Sequence, residues 1–68
     1  MSHQVVLYSK PDCGLCEEAR DLLDLLGHAY EVLHDPAFDL RVPVIQVDGR
    51  IVTEGRVSRR AVARALRG

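Results

Sequence analysis

Residues 4–16 read QVVLYSKPDCGLC, and the passage from strand to cysteine pair within them decides the fold. Gln4 to Tyr8 is a short apolar run rich in β-branched residues, bounded by Ser9, Lys10 and Pro11, which is the pattern of a buried, central strand. From Cys13 onward the period changes. Leu15, Ala19, Leu22, Leu23 and Leu26 recur at helical spacing, with Glu17, Glu18, Arg20, Asp21 and Asp24 on the other side, so an amphipathic helix is predicted. Glu17 and Glu18 suit its positive N-terminal end, and Gly27 can turn left-handed to stop it. Cys13-Gly14-Leu15-Cys16 therefore falls where the strand gives way to the helix.

Downstream, Ala29 to Leu33 reads as a second strand ended by His34, Asp35 and Pro36. Asp35 to Arg41 is too short for a full helix and predicts a turn, with one helical turn around Ala37 and Phe38. Val42 to Val47 and Arg50 to Thr53 are β-rich runs joined by Asp48-Gly49, a pair that tolerates the positive φ angles of a type I′ hairpin. Ser58 then offers a side-chain oxygen to the first amides of a last helix, Arg59 to Arg67, on which Val62, Ala65 and Leu66 share a face. The order is β-α-β-(turn)-β-β-α. Its βαβ unit implies parallel strands and a right-handed crossover, to which the hairpin adds antiparallel strands. The expected class is α/β, a four-stranded mixed sheet with helices packed on its faces. With no repeat, low-complexity stretch or linker, residues 1–68 read as one domain.

Apolar residues make up 47% and charged residues 28% of the 68, a globular balance rather than that of disorder. A chain this short buries only roughly 60% of its unfolded surface, so its stability is expected to be thin. A formal net charge of -1 provides no global field for nucleic acid or a membrane surface. The distribution is less even: after Glu54 the only charges are Arg56, Arg59, Arg60, Arg64 and Arg67. Such a run is either a solvated helix face or a patch for an acidic partner. The stretch MSHQVVLYSK has no signal-peptide core, and nothing approaches the ~20 apolar residues of a membrane span, so the expected compartment is the cytoplasm. There thiols are kept reduced, and a cysteine pair reads as catalytic or metal-binding rather than as a permanent staple.

Three residues apart on a helical turn, Cys13 and Cys16 lie on one face, close enough to join. Cys13, at the helix start, faces unpaired backbone N–H groups and the positive end of the dipole, both of which favour thiolate. In such settings thiols ionise well below their ordinary pKa of about 8.5. Because the dipole alone contributes only ~0.3–1 kcal/mol, direct hydrogen bonds and Lys10 are needed for a large effect, and Asp12, Glu17 and Glu18 oppose it. A moderately acidic nucleophile results: Cys13 attacks a disulfide and Cys16 resolves the mixed disulfide. A zinc site normally takes four ligands, and only His3, His28 and His34 remain, none at zinc-finger spacing, so no metal is expected.

The string Tyr8-Ser9-Lys10-Pro11-Asp12-Cys13-Gly14-Leu15-Cys16, followed by Val42-Pro43 and the Asp48-Gly49 hairpin, resembles the glutaredoxin family of the thioredoxin superfamily, most of all its short bacterial and archaeal glutaredoxin-like members. The resemblance runs from Val5 to about Leu66. It implies a thioredoxin-like fold with sheet order 2-1-3-4, and a cis Val42-Pro43 bond packed beside the cysteines. From the residues alone that bond would be trans, since only about 5–6% of X-Pro bonds in folded proteins are cis. The resemblance also implies that Lys10 supports the thiolate and a glutathione carboxylate. It makes Tyr8, Pro11, Val42 and Pro43 substrate-binding, with the Val42 backbone pairing to the target chain. Two departures stand out. Thr53-Glu54-Gly55-Arg56 replaces the usual Gly-Gly motif and sets Glu54 near the ligand's carboxylate, and the short Asp35 to Arg41 connection leaves one side of the sheet thinly covered, or covered by Phe38 and Leu40.

The expected function is a monomeric dithiol–disulfide oxidoreductase acting on protein or small-molecule disulfides, without a resident cofactor and with glutathione or a reductase as electron donor. Two alternatives stay open. One is a binding module holding metal or an iron-sulfur cluster through Cys13 in a dimer; the other is a fold kept for partner binding through the arginine-rich last helix.

Overall fold

The structure is a computed structural model that describes residues 3–67. It contains β1 (Val5–Tyr8), α1 (Gly14–Leu25), β2 (Glu31–Leu33), a 3₁₀ turn (Pro36–Phe38), β3 (Val44–Val47), β4 (Arg50–Glu54) and α2 (Arg59–Arg67). The four strands form one mixed sheet in the order β2-β1-β3-β4, with β2 parallel to β1 and both other pairings antiparallel. This is a small thioredoxin-like α/β fold, with β1 central as its unbroken apolar run predicts.

Register explains where the core sits. Val5 pairs with Val47 and Leu7 with Ile45, so the four side chains share one face. Ala19 and Leu23 of α1 and Val62 of α2 pack on that face to complete one buried cluster. Both helices therefore cover the same side of the sheet, which corrects the expectation of helices on its two faces. The physical reason is the short connection after β2: it holds only the 3₁₀ turn, so no helix is available for the opposite side. There the ring of Phe38 lies against Tyr8 at 4.7 Å, beside a fully buried Val44. Leu40 takes no part in that cover, being 99% exposed.

Strand ends follow local chemistry. The Val42-Pro43 bond is cis, as the resemblance implies and the residues alone do not. Proline has no N–H to donate, and β3 begins after it, at Val44, instead of at Val42. β2 is trimmed to three exposed edge residues, so Ala29 and Tyr30 lie outside it. The hairpin turn places Asp48 at φ 53° and Gly49 at φ 82°, both positive as a type I′ turn requires. The Asp48 carboxylate accepts the Gln4 N–H at 2.9 Å and bonds His3 Nδ1 at 2.6 Å, tying the start of β1 to the hairpin. In α2, Ser58 Oγ accepts the Ala61 N–H at 3.1 Å, the cap its sequence predicts.

Candidate functional site

The chain leaves β1 at Tyr8, and the Ser9 N–H bonds the Leu33 carbonyl at 2.9 Å, holding the exit beside the end of β2. Asp12 then takes a left-handed conformation at φ 57°, which Asp tolerates better than most residues and which swings the chain into α1. Cys13 is the N-cap, with extended backbone, and its Sγ accepts the Cys16 N–H at 3.2 Å. The two cysteines are joined in a disulfide, their Cα atoms 5.2 Å apart. They are not equivalent. Cys16, a turn further in, is only 3% exposed, whereas Cys13 is half-buried and opens to solvent.

An open groove runs past the pair. Lys10, Pro11 and Asp12 form its near end, Glu17 and Arg20 line it along α1, and Val32, Leu33 and His34 of the β2 end make the facing wall. Lys10 is exposed in this groove and makes no hydrogen bond or ion pair among the described residues. Arg20 adds a cationic group and His34 an imidazole, neither of which the sequence had placed in this groove. The signal for Arg20 was its place four residues after Cys16, on the same helix face. His34 bonds Asp39 at 2.9 Å. Behind Arg20, partial burial and a hydrogen bond donated to Asp24 raise the Tyr30 hydroxyl above its ordinary pKa, against the lowering effect of Arg20.

Pro43 is fully buried. Because Tyr8 pairs with Val44, the next rung sets Pro43 beside Ser9, at the end of the sheet from which the cysteine loop departs. The Gly55 N–H bonds the carbonyls of Arg41 at 2.9 Å and Pro43 at 3.0 Å, so the residues on either side of Val42 are held while Val42's own N–H and C=O make no backbone hydrogen bond among the described residues. Gly55 reaches both carbonyls at φ 70°, a conformation that favours glycine.

Tyr8 is not in the groove; alternation along β1 turns it to the opposite face, against Phe38. Phe38 in turn carries the Arg41 guanidinium, 5.3 Å from its ring centroid, and Arg41 Nε bonds a Glu54 carboxylate oxygen at 2.8 Å with a second contact from Nη2. Glu54, expected as a negative charge facing a ligand carboxylate, is thus matched by Arg41. Nothing in the sequence singled out that arginine. His3 and His28 lie at the far end of the sheet from the cysteines, their rings 6.4 Å apart, and no group of three His, Cys, Asp or Glu residues suited to a metal occurs among the described residues. No described helix is long and apolar enough to cross a membrane.

The site is thus a redox-capable cysteine pair at a helix N-terminus, both residues lining a groove and Cys13 the more exposed, with a buried proline beside the loop that carries it. No curated protein matches the chain. The glutaredoxin-like domain family (DUF836) matches it over residues 4–67, and the chain belongs to that family.

Proposed function

We propose that this is a cytoplasmic, single-domain dithiol–disulfide oxidoreductase that works as a monomer. The observation that carries the reading is the unequal exposure of two cysteines already in bonding range. In the reduced protein the Cys13 thiolate attacks one sulfur of a target disulfide, forming a mixed disulfide and expelling the first target thiolate. The Cys16 thiolate then attacks Cys13 Sγ, closing the intramolecular disulfide and expelling the second. Two electrons pass to the target, and a thiol donor such as glutathione, or a reductase, returns the pair to the dithiol. Lys10 supports the thiolate, Pro11 and Pro43 shape the approach, and the unpaired Val42 backbone meets an extended target chain. Tyr8 contributes from the opposite face, by bracing Phe38 beneath the proline loop.

The test is turnover of a protein disulfide such as insulin, supplied with excess glutathione or with thioredoxin reductase in separate arms. Cys13→Ser is expected to abolish turnover, while Cys16→Ser accumulates a mixed disulfide with the target. Full turnover by Cys13→Ser, or failure of mild oxidation to give an intramolecular disulfide, overturns the reading.

A further inference from the structure

The ten carboxylates of the chain all lie at or before Glu54, with four cations among them, while the other five cations follow it without a single acid. Every one of these five arginines is exposed, and none has an ion-pair partner among the described residues, in contrast to Arg41. Arg56 and Arg59 do more than face solvent. With Leu22 and Val57 they line a second groove, which also takes in Glu18 and reaches Leu15, the residue between the two cysteines. Cationic side chains over an apolar floor thus adjoin the disulfide, on the side away from Lys10 and β2.

We infer that this groove is where a partner docks, and that the partner is a protein segment carrying acidic and apolar residues next to the disulfide it presents to Cys13. The inference rests on the proposed redox function and names its preferred substrate class. Three features decide the occupant. Val62, Ala65 and Leu66 of α2 are turned into the core, leaving no large apolar stripe of that helix to enter a lipid surface. Neither tyrosine nor phenylalanine lines the groove, so bases have no stacking platform. A two-fold pairing of two copies through this face would set arginines against arginines. An acidic peptide meets none of these objections: opposite charge speeds encounter and fixes register, and the apolar floor desolvates the residue beside its cysteine. Arg60, Arg64 and Arg67 extend the field along α2 beyond the groove.

The experiment compares reduction of disulfide-linked peptides flanked by glutamates, by neutral residues or by lysines, at about 20 mM and about 0.5 M salt, where screening lengths differ severalfold. In parallel, anisotropy of a labelled glutamate-rich peptide without cysteine and of a labelled DNA duplex reports binding without chemistry. The expected result is a roughly tenfold preference in kcat/KM for the acidic over the neutral peptide at low salt, falling to about twofold or less at high salt. Arg56→Gln combined with Arg59→Gln brings that ratio toward one, whereas Arg50→Gln, at the hairpin end of β4, leaves it in place. The pair Arg56→Glu and Arg59→Glu transfers the preference to the lysine-flanked peptide. Equal rates for the three peptides, a preference that persists in the glutamine variant, or tighter binding of DNA than of the acidic peptide each overturn the inference. If no peptide is reduced at all, the redox reading fails, and the anisotropy arm still decides the docking surface through its salt dependence and its loss in the glutamine variant.

Discussion

Reduction of the disulfide is the perturbation that tests the site most directly, because it converts Cys13 from a bonded sulfur into an N-cap thiolate. In the oxidised protein Cys13 Sγ already accepts the Cys16 N–H at 3.2 Å, so the donor is in place before the charge appears. A hydrogen bond to a charged acceptor contributes about 1.5 kcal/mol at the low end of its range. The helix N-terminus contributes roughly 0.5 kcal/mol more in an exposed setting. Lys10 and Arg20 favour the anion from within the groove while Asp12 and Glu17 oppose it, and these exposed charges largely cancel. The sum, about 2 kcal/mol, is roughly a thirtyfold shift of the ionisation equilibrium toward thiolate. The assay is the pH dependence of alkylation of the reduced protein under anaerobic conditions, with mass spectrometry to assign the modified residue, against the same protein unfolded in urea. Cys13 is expected to react first, with its profile displaced to lower pH by that factor; Cys16→Ser retains the donating N–H and keeps the displacement. Coincident profiles for folded and unfolded protein, or alkylation of Cys16 ahead of Cys13, refute the argument.

Two further outcomes follow from packing and charge. Leu23 is fully buried between α1 and the sheet while Leu25 is 69% exposed, so Leu23→Ala should cost about 2–5 kcal/mol and Leu25→Ala no more than ~0.5 in urea unfolding of the oxidised protein. Equal losses would contradict the one-faced core. Hydrogen bonds from His3 and from the Gln4 N–H hold the Asp48 carboxyl below its ordinary value of 3.8. A carboxyl lowered in the folded state adds stability that is fully present above 3.8 and disappears as pH falls through its native value. Thermal midpoints followed into acid should therefore decline less steeply for Asp48→Asn than for the wild type, and parallel declines would remove Asp48 from the account.

Periodicity made the elements legible wherever a residue's neighbours in sequence are also what decides its state. β1, α1, the Asp48-Gly49 turn and α2 with its Ser58 cap all depend on local apolar spacing, capping oxygens or φ preference, and the structure has them where those signals put them. The cysteine pair was legible for the same reason, since its setting at a strand-to-helix junction is itself a local pattern. What escaped depends on contacts across the chain. Leu40 has the composition of a core residue, yet nothing in its neighbours reveals that it faces open solvent. Arg41 looks like any surface arginine until the fold brings Phe38 beneath it and Glu54 beside it. The cis bond before Pro43 is equally non-local: proline chemistry permits it, and only the resemblance to a family indicated it.

Placing both helices on one face leaves the proline loop to be held by side chains instead of by a helix. Phe38 bridges Tyr8 at the end of β1 and the Arg41 guanidinium, Arg41 reaches Glu54 at the end of β4, and Gly55 ties the carbonyls on either side of Val42. Singly these contacts are weak, about 0.5–1.5 kcal/mol for the aromatic pair, roughly 0.5–1 for the cation over the ring and ~0.2–1 for an exposed ion pair. They act on one short connection, however, so each restricts the same few dihedrals and the entropy lost in making the first is shared by the rest. The loop is thereby pinned to the ends of two strands that flank β3, while the N–H and C=O of Val42 make no backbone hydrogen bond among the described residues. Under the proposed function, a backbone fixed on both sides and open in the middle accepts a strand-like partner without first being ordered, which lowers the entropic cost of docking a target's extended chain.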